Sequence, residues 1–160
     1  MNKGTLSGNM VHTLLAPVSI NGGKSSDVFN LENYNHATII VSVGAVAAGT
    51  STLTLEYCDD NTPTTDTAMA FNYRIMTDGA GATDTWGALT AATSSGITLD
   101  TANQTVVIEI DAAEVMSASS GTCSRLQVEL SDPSGADYVS IVVVLTEPRY
   151  AKGTPVTCID

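Results

Sequence analysis

Residues 122–147 read TCSRLQVELSDPSGADYVSIVVVLTE, two apolar-rich segments on either side of one reversal. In the first, Leu126, Val128 and Leu130 fall on one face, and Arg125, Gln127, Glu129 and Ser131 on the other. Side chains alternate across a strand, so this period of two predicts a half-buried strand. The second segment puts Val139, Ile141, Val143 and Leu145 on one face and Tyr138, Val142 and Val144 on the other. A strand apolar on both faces needs cover on both, from a central place in a sheet or from a subunit contact. Asp132-Pro133-Ser134-Gly135 supplies the turn of an expected hairpin. Proline presets φ, glycine tolerates positive φ, and the aspartate bonds nearby backbone.

The same alternation recurs upstream. Residues 37–46 place Ile39, Val41 and Val43 inward, and residues 52–58 place Leu53, Leu55 and Tyr57 inward, which predicts a second hairpin across the turn at 48–51. Residues 67–77 read as one strand with Met69, Phe71, Tyr73 and Ile75 on one face. Residues 105–111 form another, with Val106, Ile108 and Ile110 inward, and Asp111 with Glu114 three places on predicts a capped helical turn. Residues 28–31 read as a short strand, 83–89 as the segment that carries the single tryptophan, Trp86, Gly44 as a bulge or strand end, and 90–96 as a low-bulk, mobile stretch. Residues 11–20 make one strand interrupted by Pro17, which confines it to a sheet edge.

About eight strands with no helical period predict an all-β, single-domain antiparallel sandwich or barrel. The expected division is an N-terminal arm or edge strand at 1–27, a sandwich at 28–148 and a C-terminal tail at 149–160. At 160 residues, 43% hydrophobic, the chain is long enough to bury its own core. The formal net charge of −11 disfavours phosphate backbones, so no direct nucleic-acid contact is expected. The longest apolar-rich run, 138–145, is far too short to span a bilayer. No secretory pattern opens the sequence, so synthesis in a cytoplasm without membrane insertion is expected.

The sequence carries no recognisable catalytic, cofactor or metal motif. No GxSxG, HExxH, P-loop or GxGxxG after a strand is present. His12 and His36 are the candidate catalytic histidines, each in a weakly patterned segment and without a visible partner, so a surface or strand-end place is the expectation. Cys58, Cys123 and Cys158 lack CxxC spacing and are odd in number, which predicts free thiols, with a Cys58–Cys123 bridge as the alternative. Asp59, Asp60, Asn61 and Asp66, or Asp78 and Asp84, offer oxygen ligands for calcium but match no EF-hand spacing, and solvated turn carboxylates are expected. Trp86, with Tyr34 and Tyr150, is the candidate aromatic platform for a glycan. The expectation is a protein that is not an enzyme, with no catalytic, cofactor or metal residues.

The segments ATIIVSVGAV, TLTLEYCDDNTPTTDTAMAFNYR, DTWGALTAAT, VVIEIDAAEV and RLQVELSDPSGADYVSIVVVLTEPRYA, in this order, resemble small structural proteins of tailed bacteriophages. The resemblance covers roughly residues 28–151 and is to head-decoration, or capsid cement, proteins. It implies a β-sandwich or jelly-roll subunit on the outer capsid surface, bound to the major capsid protein and to copies of itself, with a trimer the commonest arrangement. A tail or head–tail joining protein, and a glycan or host-surface binding module, are the alternatives. The residues outside the resemblance, at either end, are the expected attachment segments.

Overall fold

The structure, a computed structural model, describes residues 8–47, 49–63, 65–77, 85–149 and 158. Its strands are β1 (Met10–Ser19), β2 (Lys24–Ser25), β3 (Phe29–Asn30), β4 (Tyr34–Val43), β5 (Ser51–Cys58), β6 (Asp66–Met69) and β7 (Phe71–Thr77). They continue as β8 (Thr85–Trp86), β9 (Thr90–Ala92), β10 (Ile97–Leu99), β11 (Gln104–Asp111), β12 (Arg125–Leu130) and β13 (Tyr138–Pro148). One helix, α1 (Ala112–Ala118), follows β11. The strands build two antiparallel sheets. The wide sheet runs β1-β13-β4-β11-β7, with β8 and β9 sharing the far edge of β7. The narrow sheet centres on β5 and β12, with β10 and β6 along the edge of β5 and β2 and β3 along that of β12.

The pairings are nested. The first strand pairs with the last (β1 with β13), β2 and β3 with β12, β4 with β11, and β5 with β10. This is a long antiparallel ribbon rolled into two facing sheets, the jelly-roll solution to packing an all-β chain. The stretch β6–β9 is an excursion between β5 and β10 that widens one sheet. Between the sheets lie Ile39, Val41, Ile108, Ile141 and Val143 from the wide one, and Leu53, Leu55, Leu126, Val128 and Leu130 from the narrow one, all fully buried. Alternation put them there: each is an inward member of a period-two run.

Neither expected hairpin exists. β4 lies in the wide sheet and β5 in the narrow one, and β12 and β13 are likewise separated. The reason is that alternation fixes which face of a strand is buried but not which neighbour it bonds. Both reversals instead carry the chain across the sandwich, and they brace each other. Gly44 N donates to Tyr138 O at 2.8 Å, and the buried Asp137 carboxylate accepts from Ala47 N at 2.7 Å. Gly49, at φ +88°, sits so close that a Cβ there would stand 1.8 Å from Pro133 O. In the turn at 132–135 the Asp132 carboxylate accepts from Ser134 N and from Gly22 N, while the positive φ falls on Ser134 at 58° instead of on Gly135.

Other expectations divide in the same way. Residues 67–77 are two strands: the chain leaves β6 in the narrow sheet and enters β7 in the wide one through Ala70. Residues 90–96 are not an open loop, because β9 pairs with β7 and Ala92 is buried. Pro17 does sit on an edge strand, with register shifts between Thr13 and Val18. Asp111 does cap α1, and its N–H donates to the Glu114 carboxylate at 2.8 Å. Val43 ends β4 just before Gly44. Tyr138–Pro148 lies one strand in from the edge, between β1 and β4. Cys158 is buried, and its carbonyl accepts from Asn30 N at 2.9 Å, so this residue packs against the body.

Every sheet edge is short or interrupted. β1 is kinked by its register shifts and Pro17. The edge of β12 is shared by β2 and β3, and across their gap Ser26 substitutes for the ladder: its hydroxyl accepts from Val128 N at 3.0 Å and its carbonyl from Gln127 Nε2 at 2.8 Å. β8 and β9 divide the edge of β7, and β6 and β10 that of β5. Broken edges resist pairing with a strand of another molecule.

Candidate functional surface

With the interior shared and the edges blunted, the two outer sheet faces carry what recognition the body offers. Cross-strand register orders them in rows. On the wide sheet one row is Thr13, Val142, Ile40, Val107 and Arg74, a second is Val11, Val144, Thr38, Glu109 and Asn72, and a third is Ser140, Ser42, Thr105, Met76 and Trp86. Val142, Val144, Ile40, Val107 and Met76 are half-buried, and Val11 and Trp86 are each 51% exposed. A shallow depression of about 330 Å³ lies between Arg74, Trp86, Val107 and Glu109. Contiguous outward apolar residues of this kind mark contact surfaces more often than scattered ones do.

The narrow sheet is the opposite. Its outward rows are Glu129 with Thr54, Gln127 with Glu56 and Ala68, and Thr52 with Thr98. Burial, together with Asp66 and Glu129 nearby, pushes the Glu56 carboxyl up from its ordinary range, against a hydrogen bond from Thr54 Oγ1 at 3.1 Å. At the strand ends Arg125 Nε donates to Asn61 Oδ1 at 2.9 Å, and its guanidinium lies 3.9 Å from Glu32.

The sequence candidates scatter over this frame. His12 is half-buried on β1 opposite Val143. His36 has partners the sequence did not reveal: Nδ1 lies 2.7 Å from Asp111 Oδ1 on β11, and Nε2 lies 3.5 Å from Thr38 Oγ1. The order carboxylate, imidazole, hydroxyl is that of a nucleophilic triad. Here it stands on an open sheet face, and 3.5 Å is beyond an ordinary hydrogen bond to a hydroxyl. Asp111 is 75 residues from His36 and meets it only through the β4–β11 register, so no local motif could have shown the pair.

Cys58 and Cys123 are free thiols, and Cys58, Cys123 and Cys158 are all buried. The Cys123 thiol lies against the Cys58 carbonyl, and burial, reinforced by Cys123, pushes the Cys58 thiol up to about 12. A thiol held protonated is a poor nucleophile. In the acidic loop, Asp60 accepts from Thr62 N and Asn61 from Arg125, so those oxygens serve the loop itself. Among the described residues no group of three or more His, Cys, Asp or Glu is placed to hold a metal ion. Asp78, Asp84 and Tyr150 lie outside the described residues. Tyr34 is fully buried, so it cannot share a platform with the exposed Trp86. Among the described residues no helix is long and apolar enough to cross a membrane.

No family model matches the sequence, and no curated protein does. Among solved structures, the SPBc2 prophage-derived protein YomS is similar at 10% identity, over 86% of this chain and 93% of that one, with a TM-score of 0.47. The VP2 subviral particle of infectious bursal disease virus is similar at 11% identity, over 95% of this chain but 45% of that one, with a TM-score of 0.23.

Proposed function

We propose that the protein is a virion structural component that works by adhesion, a decoration protein on the outer surface of a phage capsid. The observation that carries this reading is the difference between the two outer sheet faces: the wide one carries a run of apolar side chains with Arg74, Glu109 and Asp111 to one side, and the narrow one carries Glu56, Glu129 and threonines with no such run. A body with blunted edges and one apolar face is suited to be covered on that side and wetted on the other. The sequence resemblance over residues 28–151 points the same way, and the net charge of −11 keeps the wetted side soluble.

Such a protein needs no reacting group. It binds the assembled shell in preference to dispersed subunits, so mass action stabilises the shell by about 2.7 kcal/mol per site when the free protein is at about 100 times its Kd. The test is addition of the purified protein to undecorated capsids. Saturable binding, many copies spread over the head and a raised disruption temperature are expected. Capsids that neither bind it nor gain heat resistance would sink the proposal, and a label confined to one vertex or to the tail would move it to a joining or tail role.

Attachment through the chain ends has to be tested with care. Deleting residues 1–20 removes β1, and deleting 152–160 removes the buried Cys158. Deletion of residues 1–7 alone, with an unchanged melting temperature as the control, separates loss of attachment from loss of fold.

The exposure of Trp86 beside Arg74 and Glu109 supports a second reading, a glycan-binding module, since an aromatic face flanked by polar groups suits a sugar ring. A glycan screen with Trp86→Ala decides it: binding lost in the variant supports this reading, and no binding by the parent protein dismisses it.

A further inference from the structure

We infer that the outer face of the wide sheet is covered by a second copy of this chain, in a two-fold, face-to-face contact in which each Arg74 meets the other copy's Glu109. The inference deepens the reading above and rests on it for the premise that this face is covered in the assembled state; with the face given to a second copy, the shell contact falls to the rest of the body. It replaces the three-fold arrangement implied by the resemblance with a two-fold one.

Charge singles out this face for self-contact. Among the described residues the acids in its outward rows are Glu109 and Asp111, which stand there with Arg74, and Asp111 is engaged by His36. Two copies each carrying −11 meet with least repulsion where their acids are fewest. On the narrow sheet Glu56 already feels Glu129 and Asp66, so a second copy there would add like charges at a cost in stability.

Geometry makes the contact self-complementary. Arg74 is the cross-strand neighbour of Val107, and Glu109 lies two residues further along β11, so the two charges sit diagonally on adjacent strands. A two-fold axis lying in the contact and crossing between them sets each arginine opposite the other copy's glutamate. That is the reciprocal pattern an isologous interface requires. Arg74 is already steadied, because its Nη1 donates to Gly87 O at 3.1 Å, which lowers the entropy lost on pairing. Val107, Ile40, Val142 and Met76 then supply the apolar centre, and Trp86 an aromatic anchor at its border.

The size sets the strength. Five strands spaced about 4.8 Å apart and about seven residues long give a face of roughly 20 by 24 Å, about 480 Å² in plan. That is smaller than the about 800 Å² per partner of a standard interface, so a weak dimer is expected. The broken edges leave strand addition as a poor alternative route to association.

The test is the solution mass of the full chain by analytical ultracentrifugation across about 1–100 μM, the range in which such an interface should populate a dimer. A dimer is expected. Arg74→Glu and Glu109→Arg should each weaken it at least about tenfold, and the double swap should restore it to within about threefold, as expected of a charge pair. Thr54→Lys, on the other outer face, should leave the mass unchanged. Circular dichroism and melting temperature check the fold of each variant, and Val107→Lys on the same face carries the test if a charge swap fails to fold. A monomer throughout the range, a trimer, or a dimer indifferent to both swaps would overturn the inference. Shell binding is scored separately: a swap-sensitive dimer that ignores capsids removes the decoration role alone, and a monomer that coats them removes only this contact.

Discussion

The two sheets of this sandwich have the same inside and opposite outsides. Both turn valine, isoleucine and leucine inward on every second residue. Outward, the wide sheet shows Val142, Val144, Ile40 and Val107, where the narrow sheet shows Glu129, Glu56, Thr52 and Thr54. Folding requires only the inner pattern, since one apolar face per sheet suffices to close the core. The second apolar face of the wide sheet is therefore surplus to folding, and surplus apolar surface in a strongly acidic chain points to something that covers it.

Substitutions can attack each side of that contrast. The largest effect belongs to the shared interior. Leu126→Ala, at a fully buried site, should cost about 2–5 kcal/mol and be read in the denaturant midpoint without a change of slope. If it costs under about 1 kcal/mol, the two sheets do not share a packed core. Next comes the gap in the narrow sheet's edge. Ser26→Ala leaves the buried Val128 N–H without its hydroxyl acceptor and should cost about 1–3 kcal/mol.

Smaller effects sharpen the outer contrast. Val142→Thr on the wide sheet and Thr52→Val on the narrow one should each change unfolding free energy by under about 1 kcal/mol. Only the first should reduce association, measured in the same ultracentrifuge runs. The smallest effect is electrostatic. The Glu56 carboxyl is raised in the folded protein, so the folded state favours its protonated form. Below the unfolded value both states are protonated and no penalty exists; as pH rises through the raised folded value, folding must hold an ionised group that burial disfavours. Glu56→Gln should therefore stabilise modestly at neutral pH and make no difference in acid, read from melting temperatures at both. Asp132 has the opposite sign: its carboxyl is lowered by hydrogen bonds from Gly22 and Ser134, so its contribution is present at neutral pH and fades as pH falls through that lowered value.

How much of this was legible depended on range. Ile39, Leu55, Ile108, Val128 and Val143 were read inward from alternation alone, because a period of two is a local property. The cap of α1 was equally local, since Asp111 and Glu114 are three residues apart. Pairing was not local. The strands at 37–46 and 52–58 read as a hairpin because they are consecutive, but the register that joins Val41 to Ile141 spans most of the chain. The same distance hid the Asp111 partner of His36 and the diagonal of Arg74 and Glu109, neither of which exists before β4, β7 and β11 lie side by side. The apolar second face of residues 138–145 was visible, as was its double explanation. The structure places that strand one in from the edge, so its inner face is cored and its outer face still faces outward.

The nested ribbon also sets the order in which the protein can be made. Among the described strands β1 emerges from the ribosome first, and its bonding partner β13 emerges last. Until then the inward side of β4 and the valines awaiting β13 remain unpaired in a half-finished roll, and such long-range closure folds slowly. Expression at low temperature, or a permuted chain that joins the two ends and opens elsewhere, should therefore raise the soluble yield more than any single substitution on the surface.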